Sequence, residues 1–197
     1  MQTWNNRRLA WIVAVELVLL GAVIFLSRPL ERWIESGEPT RPASPERPEL
    51  DQDLLRAIAP VVHADLPTNH KVVWAGRGGR WFCAESPVET GHAGTAIYLG
   101  VVAMCSEYVA RDGVLVHSAG FRSPLLVTLE RGGQDGYVVR DVEKPHDGSA
   151  NDASLRRMFT LAGYWDIDRV TREASPDPAP EARAALGLPP DAPVVMR

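Results

Sequence analysis

The sequence predicts an α+β domain carried on one N-terminal transmembrane helix, with a helix, a four-stranded antiparallel meander and a closing helix following in that order. Three observations lead there. The 18 residues from Leu9 to Leu26 hold a single charge, Glu16. Apolar residues recur at helical spacing between Gln52 and His63. From Val72 to Val142 the strand-forming stretches are separated by glycine turns. Consecutive strands joined by short turns pair antiparallel, and the flanking helices then pack on a curved sheet.

The apolar run LAWIVAVELVLLGAVIFL is long enough to span a hydrocarbon core at about 1.5 Å per residue. It has no polar stripe of the kind a surface helix shows. Trp4, Trp11 and Trp33 flank it where aromatic residues favour the membrane interface. Arg7 and Arg8 precede it and Arg28 and Arg32 follow, so the basic residues are nearly balanced. The short N-terminal arm then decides the orientation: N-terminus cytoplasmic, the bulk of the chain outside. The span exceeds a signal-peptide core, and FLSRPLERW offers no small-x-small cleavage site, which makes it a signal anchor. An acid inside a span costs about 2.5–3.5 kcal/mol on insertion scales. Glu16 is therefore either a protonated carboxyl among strongly apolar neighbours or a contact to another membrane protein.

The chain divides into an arm (1–8), the span (9–27), a juxtamembrane and Pro-rich linker (28–50), the domain (51–168) and a Pro/Ala-rich tail (169–197). Ser36 to Glu49 holds four prolines among alternating charges, the composition of a solvated spacer. Asp51 is a good N-cap for the first helix, and Pro60 is expected to kink or shorten it. Val72 to Glu85 forms the first strand-like stretch, with Gly76 to Gly79 as a bulge or turn. Thr95 to Ala110 is apolar on both faces, which marks a central strand covered on both sides. Asp112-Gly113 is a hairpin turn. Val114 to Glu130, broken at Ser123-Pro124, and Tyr137 to Val142 complete the meander, with a turn over Gly132 to Gly136 between them. A closing helix over Asp152 to Ala162 has Leu155, Met158, Phe159 and Ala162 as its buried stripe. Beyond Val170 the reading is a loose tail with a short helix over Pro180 to Leu186, Gly187 after its end.

The helix-then-meander order resembles cystatin-like and NTF2-like domains. The pieces FCAES (82–86), IYLGVVAMCSEY (97–108), SPLLVTLE (123–130) and PHDGS (145–149) before LRRMF (155–159) also resemble small membrane-anchored or exported domains of Gram-positive bacteria. That resemblance spans about the middle two fifths of the chain. It implies a fold and a cell-envelope setting, and no reaction.

Charge excludes one class of partner. The net charge is -4, from 25 acids against 21 bases, without the basic clustering a nucleic-acid surface needs. Two cysteines outside the cytoplasm tend to oxidise, so Cys83 and Cys105 are expected to form a disulfide. A tight turn at Ala93-Gly94 would leave Cys83 one residue out of register with Cys105, and one bulged residue near Pro87 removes the offset.

Each chemical constellation has an ordinary reading beside it. Zinc could be drawn from Cys83, Cys105, His92 and His117, yet no two have the close spacing of structural zinc ligands. Cys83 with His92 lacks any thiol-protease signature. Ser118 or Ser123 with His117 and Asp135 or Asp147 would make a triad, yet neither serine sits in a G-x-S-x-G elbow. GRGGR at 76–80 is too short for a phosphate loop and no helix follows it. Glu107, Tyr108 and Asp147 are candidates for the rim of a pocket on the concave sheet, against a strand-end hydrogen bond and an Asp-Gly turn. No cofactor or metal is expected. The resulting expectation is a non-enzymatic, extracytoplasmic binding module whose partners are membrane lipid through residues 9–27, a further membrane protein through Glu16, and an unidentified ligand. The rival is an envelope hydrolase assembled only in the fold, which a convergent polar cluster in a deep pocket would favour.

Overall fold

The computed structural model describes residues 50–76, 78–132, 136–173 and 176–197. The expected anchor, Glu16 and the linker up to Glu49 lie outside these residues, and no helix among the described residues is long and apolar enough to cross a membrane. Among the described residues the architecture is α+β, with four α-helices and a mixed sheet of five strands.

Helix α1 spans Gln52–Asp65, capped by the Asp51 carboxylate, which accepts from the Asp53 and Leu54 amides. It does not end at Pro60. Leu54, Ile58, Val62 and then Leu66 bury a stripe on both sides of the proline. Burying such side chains is worth roughly 1.5–3 kcal/mol each, which offsets the local cost of the missing amide. The chain then turns through Val72 and Val73, which are buried but not in a strand.

Strand β1 therefore begins later than the sequence suggests and runs Arg80–Ala93. Strand β2 covers Ala96–Arg111, β3 Val114–Arg131 and β4 Tyr137–Glu143, each antiparallel to the one before. Asp112 and Gly113 both take positive φ (50° and 79°) in the β2–β3 hairpin. Strand β3 continues through Pro124, which pairs with Val102. There β3 borders only β2, and such single-sided positions tolerate strand proline.

Both faces of β2 are covered. Ile97, Leu99, Val101, Ala103 and Cys105 pack with α1 in one core. On the other face Val88 and Val102 meet Met158, Phe159, Ile167 and Val170. The closing helix is two helices, α2 over Asn151–Met158 and α3 over Leu161–Arg172. Thr160 breaks the run. Its hydroxyl accepts from the Gly163 amide as the cap of α3, while its own amide donates to Glu89 Oε1 at 3.1 Å. Of the expected stripe, Met158 and Phe159 are buried and Leu155 is partly so, whereas Ala162 belongs to the second helix.

The tail is not loose. Helix α4 spans Ala179–Ala185, with Gly187 at φ 70° just beyond it. Ala179 and Ala182 pack on Phe82, Tyr108 and Leu115. Strand β5, Val194–Met196, then pairs parallel with Leu115–His117 of β3, which makes the sheet five-stranded rather than four. Pro/Ala richness was misleading because small side chains and a three-residue pairing suffice to dock a segment on a ready-made face.

Cys83 lies directly opposite Cys105 and the two form a disulfide, with Cα atoms 4.1 Å apart. The β1–β2 turn sits one residue later than expected, with Ala93 paired to Ala96, and β1 carries the bulge between Pro87 and Glu89. The bridge closes a loop with a sequence separation of 22. The double variant Cys83→Ala/Cys105→Ala is expected to lose about 3 kcal/mol on the loop-entropy model, read by urea unfolding with the slope fitted separately for each protein. Two alkylatable thiols in the unreduced native protein would contradict the bridge.

Candidate functional site

Glu107 is fully buried at the end of β2, directly opposite Trp81. A carboxylate there has to be hydrogen-bonded, since burial without partners costs several kcal/mol. Strand β3 supplies one donor through a register shift. Glu107 pairs with Ala119 and Tyr108 with His117, so Ser118 is the extra residue. Its hydroxyl donates to Glu107 Oε2 at 2.8 Å. The loop before β1 supplies another, the Gly79 amide, 2.8 Å from Oε1. The glycines of this loop are thereby explained. A β-carbon on Gly76 would collide with the carboxylate, and one on Gly79 would lie 2.7 Å from the Tyr108 carbonyl and 2.8 Å from Glu107 Cγ.

The pinned loop carries Trp74. The Trp81 indole donates to the Trp74 carbonyl at 3.2 Å, and the two rings meet edge to face with centroids 4.7 Å apart. Phe121 joins them, 5.9 Å from Trp74 and 6.2 Å from Trp81. Lys144 Nζ stands 5.7 Å from the Phe121 centroid. Trp81 is buried at 9% exposure, but Trp74 keeps 50%. The result is an aromatic ledge on a rigid base, open to solvent, with a cation at its rim.

Beside it lies a cleft of about 580 Å³ lined by Trp81 together with His63, Pro67, Thr68, Arg80, Phe82 and Glu181. His63, in the last turn of α1, sits between two carboxylates. Its Nδ1 is 3.0 Å from Glu85 Oε2 on β1, and its Nε2 is 3.3 Å from Glu181 Oε2 on α4. Burial alone would lower the His63 pKa, but the hydrogen bond and charge of Glu85, then those of Glu181, outweigh it and raise the value above 6.5. Burial raises the Glu85 pKa above 4.5, against the opposing pull of His63. A separate groove of about 770 Å³ at the far end of the sheet is lined by Asp51, His92, Glu130, Arg131 and Tyr137, among others.

The candidate rim does not assemble. Glu107 and Tyr108 are neighbours on a strand and face opposite sides of the sheet, and both are buried. Tyr108 packs on Phe82 and His117, and burial raises its phenol pKa. Asp147 is exposed just before the short 3-10 turn at Gly148–Ala150. Cys83 and Cys105 are consumed by their bond, so neither is a zinc ligand or a thiol nucleophile, and no metal-binding group of three occurs among the described residues. Ser118 serves Glu107, Ser123 bonds the Pro124 carbonyl, and His117 packs on Tyr108. Asp135 lies outside the described residues.

Sequence reasoning missed Trp74 as an exposed aromatic and the trio His63, Glu85 and Glu181. The only sequence signal for the ledge was the pairing of tryptophans with GRGG. The trio had none, since its members come from three elements far apart in the chain. Searches of family models, curated proteins and solved structures find no match to this chain.

The variant Glu107→Ala is expected to cost about 1–3 kcal/mol in urea unfolding, because the Gly79 amide and Ser118 hydroxyl each lose their acceptor. It should also free the loop, so that the acrylamide quenching of tryptophan emission rises in the still-folded protein. Unchanged stability and quenching would mean the carboxylate does not hold the ledge.

Proposed function

We propose that this chain is a single-pass, non-enzymatic binding module of the cell envelope. The span at residues 9–27 anchors it with the N-terminus in the cytoplasm, and the folded domain stands outside and takes its ligand on the ledge of Trp74, Trp81 and Phe121. The observation that carries the reading is Trp74, left half in water although a buried carboxylate and two glycines fix the loop that bears it. Large aromatic side chains on a preformed surface supply contact area at low entropic cost, and binding hot spots are enriched in them. The chemistry of the ledge suits a ligand with a flat apolar face, such as a sugar ring or a proline-rich peptide, carrying an acidic group within reach of Lys144. The Cys83–Cys105 bond supports an oxidising compartment.

Two measurements test this. With a photo-crosslinking amino acid at position 74 of the full chain in living cells, a discrete adduct is expected. The same probe at Arg111, next to the β2–β3 hairpin turn, should give none; equal labelling from both positions, or none from 74, would sink the ledge as the binding surface. For topology, the protein should stay in the membrane pellet after alkaline washing, and protease added to cells with exposed membranes should remove the domain. A protected domain would reverse the orientation.

A further inference from the structure

We propose that His63 is the switch of a pH-dependent latch that holds α4 against α1 and β1 and so controls access to the cleft between them. The geometry carries this independently of the ledge. One imidazole has a carboxylate on each ring nitrogen, at 3.0 Å and 3.3 Å, and each carboxylate belongs to a different element. Only the protonated ring has two N–H donors and can serve both. The neutral ring donates to one carboxylate and turns a lone pair on the other. Since Glu85 is more buried than Glu181, with side chains 15% and 47% exposed, the Glu181 contact is the one that solvent can replace.

The attachment of α4 is thin enough for that contact to matter. Its buried side chains are Ala179 and Ala182, with Leu186 and Leu188 partly covered beyond it, so it hides little apolar area. Strand β5 adds three residue pairs. His63 and Glu181 both line the cleft, so a helix that lets go at Glu181 widens it.

The charged groups around His63 are few. Strand β1 contributes Glu85 and, at the cleft, Arg80, whose guanidinium lies over the Phe82 ring. Helix α4 contributes Glu181, while its Arg183 is turned to the Ala192 carbonyl. On α1 itself Asp65 holds the Asn69 side chain. The pH direction follows. The folded protein binds the His63 proton more tightly than the ordinary imidazole does, so the latch's stabilisation is full below 6.5 and is lost as pH rises through the raised value. Burial raises Glu85 as well, and once that carboxyl takes its own proton the ion pair to His63 is gone. That loss falls on the β1 side; the contact to α4 is the one to Glu181, so the latch closes as pH falls through the raised His63 value.

The test is hydrogen exchange by mass spectrometry on the full chain in neutral detergent, from about pH 5.5 to pH 8, corrected for intrinsic amide rates. Peptides covering α4 should lose protection several-fold across the range, while peptides from Leu99 to Cys105 of β2 stay constant. Both His63→Gln and Glu181→Gln should flatten the α4 profile, and Glu181→Gln should lower the His63 midpoint seen by ring-proton NMR. Glu181→Gln is a change at a half-exposed side chain, so it still decides the matter if His63→Gln does not fold. An α4 profile that is flat in the parent, or equally steep in Glu181→Gln, would overturn the proposal.

Discussion

Strand β1 could face the sheet in two ways, and the bulge between Pro87 and Glu89 selects the one on which the rest of the molecule depends. Successive strand residues point to opposite faces, so one inserted residue exchanges the faces of everything beyond it. Before the bulge, Trp81, Cys83 and Glu85 point to the α1 side. After it, Thr90 takes that side and accepts from the Asp51 amide at 3.2 Å, while Glu89 is sent to the other face. Without the inserted residue the first half of β1 would lose its facing. Cys83 would miss Cys105, Trp81 would no longer stand opposite Glu107, and Glu85 would turn away from His63. The disulfide fastens the selected register close to those side chains.

The two buried glutamates answer the same physical problem in the same way. Each is inside the protein, and each is met by hydroxyl and amide donors brought close by glycine. Glu89 accepts from the Thr160 amide and hydroxyl, and a β-carbon on Gly163 would strike it. Glu107 accepts from Gly79 and Ser118 under Gly76. In both cases a strand carboxylate reaches out of the sheet and fixes a segment distant in sequence: the start of α3 in one case, the Trp74 loop in the other. A negative charge at the first turn of α3 also complements the helix dipole. Such contacts give position rather than much net energy, because the desolvation of the carboxylate offsets most of what the hydrogen bonds return.

These contacts also mark where the sequence stops being legible. The elements that depend on neighbours in the chain could be read: the α1 stripe, the Asp112-Gly113 hairpin, the double-sided β2 and the cysteine pair, whose register comes from a turn one residue later than expected together with the β1 bulge. The break at Thr160 could not, because what stabilises it is a carboxylate 71 residues away. Local penalty alone marks Pro124 as a break in β3 and Pro60 as a kink or an early end of α1; β3 runs on through its one-sided position and α1 continues past Pro60 on its buried stripe. The trio at His63 was invisible for the same reason as Thr160. Glu107, a candidate for a pocket rim, is instead fully buried beneath the Trp74 loop, where it accepts from the Gly79 amide and the Ser118 hydroxyl.

Apolar burial is spread unevenly over this arrangement. The strongest apolar burial lies between α1 and the sheet, where Ile58, Val62, Leu66, Leu99, Leu125 and Leu129 leave almost no accessible area. The ledge rests on that core through Trp81. The C-terminal segment covers the opposite face with alanines, one short pairing to β3 and ionic contacts. Alanine burial contributes little per residue, and an ion pair with half-exposed partners is worth at most about 1 kcal/mol. On the proposed latch, opening of that segment would cost little free energy, and a modest change in protonation would alter the fraction open.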